Sequence, residues 1–149
     1  QPAGAAKPVF LKVAPDLEPA DIDDIVAVAL GKGLAAVIVS NTTIVRPALT
    51  SRHAEEAGGL SGAPLAELAL QRVRDFRAAS GGKLPLVAAG GIASAQQAWE
   101  RIRAGASLVQ IYSAMVYEGP GLAGRIAHGL EKLAARDGFA RVADAVGVE

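Results

Sequence analysis

Four short apolar runs, each followed by an amphipathic stretch at helical spacing, constrain this chain more than any other feature. The first run is Val9-Phe10-Leu11-Lys12-Val13-Ala14, stopped by Pro15-Asp16. Pro19 then stands where a first helical residue is favoured, and Asp21 and Asp24 follow where carboxylates suit the helix dipole. Ile22, Ile25, Val26, Ala29 and Leu30 recur at helical spacing before Gly31 and Gly33 end the segment. Residues 35–40 are the second run; it lacks alternation, so both faces of that strand are expected to be covered. A polar stretch from Asn41 to about Gly62 leads to a helix expected over residues 64–79, with Leu65, Leu68, Val73 and Phe76 on one face. Connections of that length inside a compact domain are usually functional or disordered. Residues 84–88 form the third run. Ser94 and Gln97 read as a capping-box pair opening a helix that reaches Gly105. The fourth run is residues 107–112, and the last long helix carries Leu122, Ile126, Leu130 and Leu133.

Strand then helix, four times over, implies a parallel sheet with right-handed crossovers. Four such units fit an open sheet or half of an eight-unit barrel, and spacing does not choose between them. The 149 residues fall short of the roughly 250 of a complete barrel. Fifteen Lys and Arg balance fifteen Asp and Glu, so no net charge draws the chain to nucleic acid or anionic lipid. The lack of Cys excludes disulfides, thiolate metal sites and a cysteine nucleophile within it. No apolar run approaches the 18 or so residues of a membrane span. The opening Gln1-Pro2-Ala3-Gly4, without Met, carries the expectation that the chain begins inside a longer protein.

In parallel α/β folds chemistry gathers at the carboxyl ends of the strands. Lys12 lies within the first run, where an amine is costly to bury unless an anion meets it; it is either an edge lysine reaching water or a fixed cation beside an anionic cofactor. Ser40-Asn41-Thr42-Thr43 leaves the second strand as four hydrogen-bonding side chains, which could satisfy turn backbone or meet a small polar ligand. Gly58-Gly59-Leu60-Ser61-Gly62, Gly90-Gly91 and Tyr112-Ser113 each precede a helix, where bare backbone and N–H groups suit a phosphate. His53 and His128 lack partners at metal-ligand spacing and read as surface residues. Trp99 reads as packing, Arg46 as a solvated loop charge, and Asp16 and Asp24 as turn and helix-end residues.

These pieces resemble the carboxyl-terminal half of the dihydroorotate dehydrogenases, in their quinone-linked class. The resemblance rests on Leu11-Lys12-Val13-Ala14-Pro15-Asp16-Leu17, Val39-Ser40-Asn41-Thr42-Thr43, Gly58-Gly59-Leu60-Ser61-Gly62 with Pro64-Leu65, Ala89-Gly90-Gly91-Ile92, and Ala104-Gly105-Ala106-Ser107-Leu108-Val109-Gln110-Ile111-Tyr112-Ser113. The motifs come in family order and span nearly the whole chain. Ser113 stands where the family uses Thr or Ser, and Ala95-Gln96-Gln97 departs from the usual wording outside the motif core.

The resemblance implies a (β/α)8 TIM barrel around one flavin mononucleotide (FMN), with residues 1–149 supplying about the last four β/α units. It implies oxidation of dihydroorotate to orotate in pyrimidine synthesis, with the electrons passed to a membrane quinone. Lys12, Ser40, Gly62, Gly91, Tyr112 and Ser113 would then hold the flavin, and Asn41 and Thr42 the substrate. It also implies peripheral attachment to a membrane, the cytoplasmic face of the inner membrane in a bacterium. The general base and membrane-docking helices belong to the family's amino-terminal half. No catalytic base is therefore assigned among these residues, Ser61 and Ser113 included, and the chain is expected to need that half for activity. The other readings are a phosphate- or nucleotide-binding α/β module without catalysis, and a soluble-class flavin dehydrogenase.

Overall fold

Each apolar run becomes a strand of one parallel sheet, and the order of those strands decides what the spacing left open. The computed structural model describes residues 7–47 and 49–149, so the opening residues that suggested an internal start lie outside it. Strands β1 (Phe10–Val13), β2 (Ala36–Val39), β3 (Leu86–Ala89) and β4 (Leu108–Gln110) lie side by side in chain order, all parallel. Doubly wound sheets reverse direction at a switch point and carry helices on both faces. Here every connection steps the same way, and right-handed crossovers that all step one way place their helices on one face. That is the arrangement of consecutive units in a (β/α)8 barrel.

Registration of the strands sorts their residues by face. Val13, Val39, Ala88 and Val109 align in one row and Leu11, Val37 and Leu86 in the next, while Lys12, Ile38, Val87 and Leu108 make up the alternate row. Val13, Val37, Val39, Leu86 and Ala88 pack with Ile22, Val26, Val73 and Phe76 into the main core, so that face is the one the helices cover. Phe10 and Leu108, on the two outer strands, belong to the opposite face and remain 45% and 58% exposed. The full coverage expected for β2 therefore does not extend across the sheet: among the described residues the inner face carries no helices, and β1 and β4 each keep one unpaired edge.

Helix α1 (Pro19–Gly31) begins with Pro19 in its first turn, and the Asp21 carboxylate accepts from the Glu18 N–H at 2.9 Å. A 3-10 turn (Ala63–Leu65) leads into α2 (Ala66–Ala79). At the start of α3 (Ala95–Arg103), the Ser94 hydroxyl accepts from the Gln97 N–H at 3.2 Å. The reciprocal half of the expected capping box shifts by one residue, because the Gln97 amide oxygen accepts from the Ala93 N–H at 2.8 Å. A short helix, α4 (Ser113–Glu118), precedes the long final helix α5 (Leu122–Arg136). Its six residues include Val116 and Tyr117 at 77% and 87% exposure, so it has no buried stripe from which periodicity could be read.

Trp99 does pack. It lies 1% exposed in a second apolar cluster with Ile102, Ala134 and Ala145, edge-on to Phe139 at 5.9 Å between ring centroids. Its indole N–H donates to Asp137 at 2.8 Å. Hydrogen bonds from Arg136 first, and from Trp99 second, hold the Asp137 carboxyl at about 2. A carboxyl lowered in the folded state stabilises the protein fully above its unfolded value of about 3.9, and that contribution disappears as pH falls through the folded value. Asp137→Asn in the full-length protein is accordingly expected to flatten the pH dependence of the thermal midpoint between about pH 4 and pH 2. An unchanged slope in that window would remove Asp137 as its source.

No helix of the described residues is long and apolar enough to cross a membrane.

Candidate functional site

The carboxyl ends of all four strands open into one cavity of about 640 Å³, within the usual range for small-molecule sites. Lys12 reaches it from β1, and Ser40, Asn41 and Thr42 from the segment leaving β2. Gly62 lines it where the long loop ends, Gly91 after β3, and Tyr112 and Ser113 after β4. All eight residues singled out from the sequence thus border the same space.

The local backbone explains how they arrive there. Ser40, 3% exposed, follows a cis peptide bond from Val39; its N–H donates to the Ala89 carbonyl at 3.0 Å and its hydroxyl to the Asn41 carbonyl at 3.0 Å. The Asn41 N–H donates to the Val13 carbonyl at 2.7 Å. These bonds tie the tips of β1, β2 and β3 together and leave the Asn41 and Thr42 side chains without hydrogen-bond partners among the described residues. Gly59 packs so closely on Thr42 that any Cβ there would overlap the threonine side chain.

The polar loop after β2 is ordered by contacts that chain spacing does not reveal. Thr43 and Leu60 form an antiparallel bridge. The Asp16 carboxylate accepts from the Thr43 hydroxyl and, at 3.0 Å, from the Ile44 N–H. Asp16 thus serves a turn, as expected, but a turn 27 residues away. Arg46 is an exposed loop charge, as expected, but it is not without partners. Its guanidinium donates to the carbonyls of Thr43, Ile44, Glu56 and Gly58 and so folds the loop on itself. His53 and His128 are both exposed, each beside a glutamate three residues on.

Three polar side chains of the cavity, Ser61, Gln110 and Tyr117, had been given no role from the sequence. Gln110 is the one polar residue of β4 and stands opposite Ala89, so strand parity was the signal for it. Tyr117 comes from α4. Ser61 joins Ser113 through a hydroxyl–hydroxyl bond of 2.9 Å, linking the loop end to α4 across 52 residues.

Chemically the cavity is graded from strand to strand. An amine stands at β1, amide and hydroxyl groups follow β2, and glycine backbone with a serine hydroxyl follows β3 and β4. Three strand spacings separate β1 from β4, roughly 14 Å. The cavity therefore offers a cation at its β1 end and backbone and hydroxyl groups at its β4 end.

Fold and cavity together define a segment of a (β/α)8 barrel with one cavity at the strands' carboxyl ends. The family model described as dihydroorotate dehydrogenase matches residues 2–134. Dihydroorotate dehydrogenase (quinone) of Sphingopyxis alaskensis is 87% identical over 99% of the chain, and that of Novosphingobium aromaticivorans 70% identical over 95%; the chain covers 41% of each. A crystal structure of the Eimeria tenella DHODH in complex with ferulenol superposes with a TM-score of 0.90 at 43% identity, over 93% of this chain and 37% of that one. The chain belongs to the dihydroorotate dehydrogenase family, and it spans less than half the length of these relatives.

Proposed function

We propose that residues 1–149 form the carboxyl-terminal half of a flavin-binding barrel whose full-length protein is a quinone-linked dihydroorotate dehydrogenase. That protein would oxidise dihydroorotate to orotate with bound FMN and pass the electrons to a membrane quinone. The observation that carries this reading is the convergence of Lys12, Asn41, Gly91 and Tyr112 on one cavity. The names of relatives up to 87% identical support it.

The residues present fit FMN. The Gly91 N–H has no partner among the described residues, and Gly91 and the Ser113 hydroxyl border the same end of the site, as a phosphate requires. At the other end the Lys12 ammonium has no carboxylate partner among those residues, so its charge is available to a ring. Bound there, FMN would supply the two-electron redox chemistry. Lys12 would favour negative charge on the ring electrostatically, Ser40 would border the ring, and Tyr112, Gly62, Gly91 and Ser113 would fix the ribityl phosphate. Asn41 and Thr42 would orient the substrate by hydrogen bonds. This chain assigns no proton acceptor; Ser61 and Ser113 bond each other, and the base would come from the amino-terminal half. Membrane association, at the cytoplasmic face of the inner membrane in a bacterium, is part of the same proposal.

The full-length protein is expected to purify with bound FMN or to take it up. Its visible absorbance should bleach on anaerobic addition of dihydroorotate and return with a quinone, but not with fumarate or a nicotinamide. Failure to bind flavin would leave a phosphate-binding module without catalysis. Recovery with fumarate or a nicotinamide would point to the soluble-class reading.

A further inference from the structure

Arg101 is a buried cation that no carboxylate among the described residues pairs with. It lies on the inward side of α3 with 2% of its surface exposed, and it takes part in no ion pair among the described residues. One guanidinium nitrogen, Nη2, donates to the Ala66 carbonyl at 2.6 Å and the Gly90 carbonyl at 3.3 Å, while Nε is buried without a partner. Burial pushes the guanidinium pKa down, and Glu100 and Glu67 oppose that only at a distance. Replacing water by carbonyl dipoles alone leaves such a charge poorly compensated.

Its two carbonyl partners explain what it does. Ala66 begins α2, and Gly90 begins the loop that leaves β3. Gly90 and Gly91 line the cavity, whereas Arg101 does not. The peptide between them is trans, so the Gly90 carbonyl and the Gly91 N–H point in opposite directions. Pinning that carbonyl to the helix layer therefore turns the Gly91 N–H away from Arg101, and this N–H has no partner among the described residues.

We infer that Arg101 is a positioning residue for the phosphate end of the ligand: it orients the Gly90-Gly91 loop from behind and lends that loop an uncompensated positive charge. An anion on the loop's cavity side supplies the compensation that the interior of the protein withholds. The inference rests on the flavin reading above and adds that selection for a phosphorylated over a non-phosphorylated flavin depends on a residue outside the cavity wall.

The test uses the full-length protein stripped of flavin and titrated with FMN and with riboflavin, which has the same ring and no phosphate. Arg101→Met is expected to weaken FMN binding by about tenfold or more, the scale of one lost charge-assisted hydrogen bond. Riboflavin binding should move less than about twofold, since the flavin reading puts its ring beside Lys12 and only the phosphate on this loop. Arg101→Lys keeps the charge and one donor, and should recover part of the FMN preference. It also carries the test should the Met variant fail to fold. Equal losses for both flavins would show a merely structural role and overturn the inference, as would unchanged FMN affinity. If the unsubstituted protein binds neither flavin, the flavin reading itself fails and takes this inference with it.

Discussion

Lys12→Ala in the full-length protein is expected to slow reduction of the bound flavin by dihydroorotate by about a hundredfold, the scale seen when one preorganised electrostatic group is removed from an active site. The reasoning starts from strand parity. Lys12 aligns with Ile38 in the row opposite the helix-packed face, so its side chain makes no contribution to the core that Val13 and Val39 share with α1. Its removal should therefore leave the thermal midpoint nearly unchanged. What is lost is the one cation that borders the cavity among the described residues. Charge that develops on a ring beside it would be stabilised in the unsubstituted protein and not in the variant. Lys12→Arg keeps the charge on a longer, planar group and should fall between the two. Stopped-flow bleaching of the flavin absorbance measures the rate directly, and an unaltered rate in Lys12→Ala would remove Lys12 from this role.

Much of this arrangement was legible in the chain because parallel β/α units have a simple grammar. An apolar run such as Ala36–Val39, four residues long and set between helical stretches, reads as a strand buried on at least one face, and whatever follows it emerges at the carboxyl end of the sheet. Ser40, Gly91 and Tyr112 could be placed on one rim for that reason, before any distance was known. The choice between barrel and open sheet could not be made that way, since both begin with the same units and differ only in the direction each crossover takes. Arg101 was illegible for a different reason. On a helix that also carries the half-buried Glu100 and Arg103, one more Arg reads as surface, and only its carbonyl partners 35 and 11 residues away show it turned inward. Arg46 and the Ser61–Ser113 pair share that difficulty, their partners being set by how the loop folds back and not by spacing.

Gly91→Ala is expected to damage the protein more broadly, because two separate penalties coincide at this residue. Its φ of +67° lies in the left-handed region, where a Cβ costs roughly 1–2 kcal/mol. The added atom would also stand 2.7 Å from the backbone nitrogen and 2.6 Å from the Cβ of Ala66. Those atoms cannot swing aside as a long side chain would, for they begin α2, and the Ala66 carbonyl is held by Arg101. Either α2 shifts or the glycine loop moves into the cavity, and both displace the N–H assigned to the phosphate. Gly81 supplies the control, since its φ of +55° is also left-handed but nothing lies within 4 Å of a Cβ there. Gly81→Ala should therefore cost only the conformational term, about 1–2 kcal/mol, and leave FMN binding intact. Gly91→Ala should cost about 3 kcal/mol or more and yield protein purified without flavin, since overpacking adds a further 1–3 kcal/mol to the same backbone strain. Thermal unfolding and the visible spectrum of the two full-length variants, measured side by side, separate the effects. Equal destabilisation with flavin retained in both would mean that the Gly91–Ala66 approach does not shape the site.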